Sequence, residues 1–158
     1  MQVLLDANLL VLSVVGHASR DYIGRHKRLR AYDLADFDSL TRMLAPPVQI
    51  VVTPNVLTEA SNLIAQIPGP ARTDVRTALR AVIGLVEERH VPSGHAARRQ
   101  VFLTLGLTDA ALLTEAEASG ARLLTADLDL YLAALRQGRI AENFHHRRAA
   151  EGESRPGG

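Results

Sequence analysis

Cysteine is absent from this chain of 158 residues. Its absence excludes disulfides and thiolate metal sites and points to a reducing compartment. Long apolar runs are missing as well: no stretch approaches the roughly 20 residues that a membrane-spanning helix needs. No basic leader opens the chain, Asp6 interrupts the first apolar run, and no small-residue cleavage pattern follows, so a secretory signal is not expected. The expected location is cytoplasmic. Excess charge is lacking too. Eighteen Lys and Arg against 17 Asp and Glu leave a net charge of +1, so any polyanion must be met by a local patch. His90 and His95 stand five apart across a predicted turn and lack a His-x-x-x-His spacing, which makes them surface or packing histidines rather than zinc ligands. What remains is an ordinary globular composition, 47% hydrophobic and 22% charged, of a length that suits one domain.

The stretch QVLLDANLLVLSVVG organises the rest. Val3–Leu5 is a short apolar run that stops at Asp6, and a second apolar run from Leu9 to Val15 ends at Gly16. This pattern predicts a strand feeding a helix, with a carboxylate at the turn. In open parallel α/β sheets such a turn lies outside the carboxyl end of a strand, where ligands bind. Asp6 is equally a good helix N-cap. Both readings stand at this point.

Further along, His17–Arg30 is a basic run, either a solvated helix face or a place for a polyanion's phosphates. Tyr32–Leu44 has helical spacing, Val48–Val52 suits a strand covered on both faces, and Thr53-Pro54 caps and starts a helix to about Gln66. Glu59 falls at the margin of that helix's apolar stripe, beside Asn55 and Asn62. A helix over 73–88, a brief strand over 89–92 and a helix over 95–105 are predicted next. Thr108 then caps a helix that ends at Gly120 and has Asp109 in its first turn, where the helix dipole favours an acid. Residues 121–125 form a strand with Asp127 and Asp129 just past its end, before a helix over 130–135. A last short strand falls within 138–144. Alternating strands and helices imply a parallel sheet between helical layers. The strand ends bring Asp6, Glu59 and Asp127 to one edge, and Asp109 joins them if the chain before it returns to that side.

The segments LLDANLLVL, TPNVLTEASNLI, GLTDAALLTEAEASGARLLTADLDLY and AENF resemble those of PIN-domain ribonucleases, in particular the VapC-like toxins of type II toxin–antitoxin pairs. The likeness runs from Val3 to about Phe144. It implies a three-layer α/β PIN-like fold with a central parallel sheet of about four or five strands, a nuclease domain over 1–146 and a flexible tail over 147–158. It further implies an Mg²⁺- or Mn²⁺-dependent endoribonuclease in which Asp6, Glu59, Asp109 and Asp127 are the catalytic, metal-holding acids. Glu59 could be a ligand, a holder of metal-bound water or the base. Thr125 and Asn8 are the residues expected to approach substrate, although Asn8 stands where the family commonly has Ser or Thr. Asp129 is expected to belong to the helix start, and Arg20–Arg30 and Arg98–Arg99 are candidates to hold RNA. An RNA substrate, a cognate antitoxin protein and a homodimer are the implied partners.

The chemistry suits the pattern. Magnesium takes oxygen ligands and keeps several waters, so a few carboxylates suffice. Without the ion, neighbouring carboxylates repel and at least one has a raised pKa. Asp6→Asn or Asp109→Asn is therefore expected to raise the metal-free melting temperature while abolishing cleavage. The alternative is a catalytically silent PIN-like RNA-binding or assembly subunit. A receiver domain or a haloacid-dehalogenase-type phosphatase needs a second acid near Asp6, which Asn8 does not provide.

Overall fold

Gln2–Leu5 forms strand β1, and its apolar residues Val3, Leu4 and Leu5 are all buried, as a strand covered on both faces requires. The computed structural model describes residues 1–25 and 29–154. On one side of β1 lie β2 (Gln49–Val52) and β3 (Glu87–Glu88); on the other lie β4 (Arg122–Thr125) and β5 (Ala141–Asn143). The order is β3-β2-β1-β4-β5 and every pairing is parallel. This is the expected α/β architecture with five strands. Because the strands run one way, the residues that follow β1, β2, β4 and β5 all emerge at a single edge.

Helices flank the sheet: α1 (Ala7–Ala18), α2 (Leu34–Met43), α3 (Pro54–Ile64), α4 (Pro70–Ile83), α5 (Ser93–Ala97), α6 (Phe102–Leu105), α7 (Leu107–Ser119), α8 (Leu128–Arg136) and α9 (Phe144–Glu153). Helix α1 is buried nearly all round and packs against α2, α3 and α4, so it has no polar stripe. It continues past Gly16, where an end was expected. Gly16 makes room rather than a stop: a Cβ there would lie 2.2 Å from the Phe37 ring of α2.

Three other expectations change. The helix predicted over 73–88 starts at Pro70 and ends at Ile83, and the strand is Glu87–Glu88 rather than 89–92. Two glutamates make an edge strand because Val51 and Val52 supply the ladder, and Gln49 and Arg89 both donate to the Glu87 carboxylate. The helix predicted over 95–105 is two short ones, α5 and α6, about a small separate core of Val91, Ala96, Ala110 and Ala111. The flexible tail expected over 147–158 is instead helical to Glu153. Phe144 anchors it in the core, Asn143 caps it, and Arg148–Asp36 and Ser39–Glu151 bonds tie it to α2. Residues 155–158 lie outside the described residues, as do His26, Lys27 and Arg28 of the basic run. Among the described residues no helix is long and apolar enough to cross a membrane.

Candidate active site

Strand register builds the centre of the site. Leu5 of β1 pairs with Leu124 of β4, which sets Asp6 beside Thr125 and Ala126. Asp6 is buried, and both its oxygens are held. Oδ1 accepts from the Leu9 amide at 2.9 Å as the N-cap of α1, while Oδ2 accepts from the Ala126 amide at 2.9 Å and from the Thr125 hydroxyl. Burial pushes the Asp6 carboxyl above the usual carboxylate range. The three hydrogen bonds oppose that rise, and the nearby charge of Asp127 adds to it.

Thr125 is fully buried. Its hydroxyl donates to Asp6 and its oxygen accepts from the Asp127 amide at 2.9 Å, so Thr125 positions two acids and does not reach substrate as expected. Asp127 caps α8, with Oδ1 accepting from the Leu130 amide at 3.0 Å, and is otherwise exposed. Asn8 lies in the first turn of α1, exposed and without a hydrogen-bond partner among the described residues.

Asp109 and Glu59 cap no helix among the described residues, although Asp109 lies in the first turn of α7. Helix α7 is capped by Gly106 at φ +86° rather than by Thr108, which makes Asp109 the third residue of the helix. Its carboxylate is half-buried and accepts no hydrogen bond among the described residues. Burial pushes its pKa up to about 7, and the charges of Asp127, Glu59 and Asp6 push in the same direction. Asp109 therefore feels all three of the other acids. Glu59, exposed on α3, lines a cavity of about 400 Å³ with Asn55, Asn62 and Thr108, next to Asp109. The structure thus turns all four expected acids toward one region. It does not close them into a chelate: among the described residues no three His, Asp or Glu side chains are already arranged to hold a metal.

Asp129 faces elsewhere, into a cavity between α6 and α8 lined by Gln100, Thr104 and Arg136. Arg99 is committed to Glu117 and Gln137, and Arg20 to Asp38, so neither is a free cation for RNA. From the sequence Tyr32 reads as an ordinary helix residue. It lies in the loop before α2, and its pKa is pushed up to about 12 by burial and by the charges of Asp6 and Asp36. Nothing local in the sequence marks Tyr32, because its position depends on the unexpected helix α9.

Among solved structures, a chain of VapBC2 from Rickettsia felis, bound to a DNA fragment from their promoter, matches 90% of this chain and 98% of its own length with a TM-score of 0.57 at 16% identity. The fold is PIN-like. A domain of a functionally unknown protein from Methanocaldococcus jannaschii covers 90% of this chain and 89% of its own at 18% identity, but its TM-score of 0.48 is too low to carry an argument. No protein-family model matches the sequence, and neither does any curated protein. At these identities the likeness concerns the fold alone. In this PIN-like sheet the acids stand at the carboxyl edge, where parallel α/β folds present their ligand sites.

Proposed function

We propose that the chain is a Mg²⁺- or Mn²⁺-dependent endoribonuclease acting as the toxin of a toxin–antitoxin pair. The observation that carries this reading is Asp109, a half-buried carboxylate with no donor among the described residues, within the field of Asp6, Glu59 and Asp127. Among the described residues Asp109 caps no helix and enters no ion pair, and its one local support is the dipole of α7, in whose first turn it lies. The donor set fits a hard cation: it is all oxygen, and Asp109 and Glu59 accept no hydrogen bond among the described residues.

Asp6, Asp109 and Asp127 would hold the ion, with Glu59 as a further ligand, the holder of a water or the base. When bound, such an ion neutralises charge on a phosphodiester and lowers the pKa of water at neutral pH. The chain's own residues prepare for this. Thr125 and the Leu9 and Ala126 amides fix the Asp6 carboxylate in one rotamer, so its remaining lone pairs point where the fold aims them. Asp127 uses Oδ1 on α8, and its Oδ2 accepts no hydrogen bond among the described residues. Asn8, exposed two residues past Asp6 in the first turn of α1, would meet substrate. The Rickettsia felis neighbour is a VapBC2 assembly bound to promoter DNA, which supports an antitoxin partner here; a homodimer is part of the same proposal.

The second reading is a silent PIN-like RNA-binding or assembly subunit. It is favoured by the fact that Asp6 and Asp127 already serve as helix caps. Cleavage of structured and single-stranded RNA in Mg²⁺, with EDTA and with Asp109→Asn and Asp6→Asn, separates the two. The nuclease reading expects cleavage lost in EDTA and reduced by about 10²- to 10³-fold in both variants, the scale at which removing charge-stabilising groups acts. Cleavage that survives the substitutions, or none in the wild type, overturns it.

A further inference from the structure

Helix α9 and the loop before α2 each bring an aromatic ring to the acid edge that the reaction described above does not use. Strand β5 pairs its last residue, Asn143, with Thr125, the residue that holds Asp6. The chain then turns into α9. The Asn143 side chain accepts from the His145 amide at 2.9 Å, and Phe144 is buried beneath. This fixes where the His145 ring emerges. It stacks on Tyr32 with ring centres 6.0 Å apart and planes 11° apart, while Tyr32 leans on Phe144 at 6.3 Å. His145 is exposed, and its ring also meets that of Phe144 in a T-shaped contact with centres 5.9 Å apart. Tyr32 is half-buried and lies within the field of Asp6, yet its hydroxyl has no hydrogen-bond partner among the described residues. Buried tyrosine hydroxyls ordinarily find one.

We infer that Tyr32 and His145 form a stacking platform for a nucleobase of single-stranded RNA, beside the four carboxylates. This rests on the ribonuclease reading for its choice of ligand. Unpaired bases are the part of RNA that aromatic and imidazole rings recognise, and every base offers a π-face. The platform lies next to Asp6, so a base held there sets the adjoining phosphate near the acids. The free Tyr32 hydroxyl can donate to a phosphate or a ribose 2′-hydroxyl of the same nucleotide.

The test uses the full chain in EDTA, so that affinity is read without turnover. The probes are a short fluorescein-labelled single-stranded RNA and the same strand made abasic, followed by anisotropy. His145→Ala is expected to weaken binding of the intact strand about 5- to 100-fold, the range of one lost base stack, and to leave the abasic strand's affinity as it was. His145→Tyr, which restores a ring, is expected to recover the loss. Equal weakening for both strands would mean that His145 meets phosphate and would overturn the platform. So would no weakening, failure of His145→Tyr to recover, or no binding of the intact strand by the wild type. His145 is exposed, so its replacement is not expected to unfold the chain, and a thermal melt checks this. Base-dependent binding without Mg²⁺-dependent cleavage would remove the nuclease reading and keep the platform. Cleavage whose KM is the same in His145→Ala would do the reverse.

Discussion

Asp109 is the acid whose ionised form the fold does least to stabilise: no amide, hydroxyl or cation among the described residues reaches it, and three carboxylates push against it. Its pKa of about 7 lies far above the value near 3.9 of an unfolded chain. Between those two values the folded state holds the extra proton, so this residue lowers stability as pH rises, with the full penalty above about 7. Since Asp109 is only half-buried, solvent screening leaves about 1–2 kcal/mol of that penalty. Asp109→Asn is thus expected to raise the metal-free melting temperature by roughly 3–6 °C above neutral pH, and by little near pH 4. Scanning calorimetry across that range checks it; a gain that does not change with pH would contradict the assignment. Asp6→Asn should go the other way, contrary to the expectation from sequence. An amide can keep one of the two N–H donors at Asp6, but it turns its own NH₂ toward the other. The mismatch is expected to cost about 1–3 kcal/mol. A higher melting temperature for both variants would show that repulsion outweighs the cap and bridge at Asp6.

At the scale of elements, Gly16→Ala tests the α1–α2 contact. The new methyl would enter the Phe37 ring, and overpacking of this kind costs about 1–3 kcal/mol or more. Denaturant melts should show a lower midpoint; an unchanged one would mean that α2 shifts freely. Glu151→Ala tests the docking of α9, because it leaves the buried Ser39 hydroxyl without its acceptor and frees Arg42. Amide exchange in α9 is expected to accelerate more than in α1. The same elements show what the sequence made legible. The runs at 3–5, 48–52 and 121–125 identify three sheet strands because apolar residues dominate where both faces are covered, with Gln49, Arg122 and Thr125 as the polar exceptions. Thr53-Pro54 starts α3 as read, with Thr53 accepting from the Val56 amide. Residues whose structure is set from afar could not be read. Glu87–Glu88 is a strand through β2's ladder, Gly16 is a packing residue through Phe37, and α9 is a helix through Phe144 and the acids of α2. For the site, Asp6 and Asp127 were legible as acids after strands. Their link through Thr125 needed the β1–β4 register, and the Tyr32–His145 pair needed α9.

For the whole molecule, charge is balanced in sum but not in place. The net charge is only +1, yet four carboxylates gather at one sheet edge, while Arg20, Arg42, Arg89, Arg99, Arg122, Arg147 and Arg148 are paired with acids elsewhere. Proton and metal should therefore compete for the same edge. A divalent ion needs Asp109 ionised, so at neutral pH its binding should expel a proton, and its affinity should rise as pH passes through about 7. The apo protein's loss of stability over that interval is the same ionisation of Asp109, so it is contained in the pH-dependent affinity and adds no second contribution. With Mn²⁺ at about 100 times its dissociation constant, the gain is about 2.7 kcal/mol by mass action. In practice, melts with Mn²⁺ and with EDTA should converge near pH 5 and separate by pH 8, and Asp109→Asn should abolish the separation. Calorimetric titration in buffers of different ionisation enthalpy would count the released proton. If the two melts stayed parallel at every pH while the metal still bound, the ion would be held somewhere other than this edge, and the four acids would be a structural feature of the sheet.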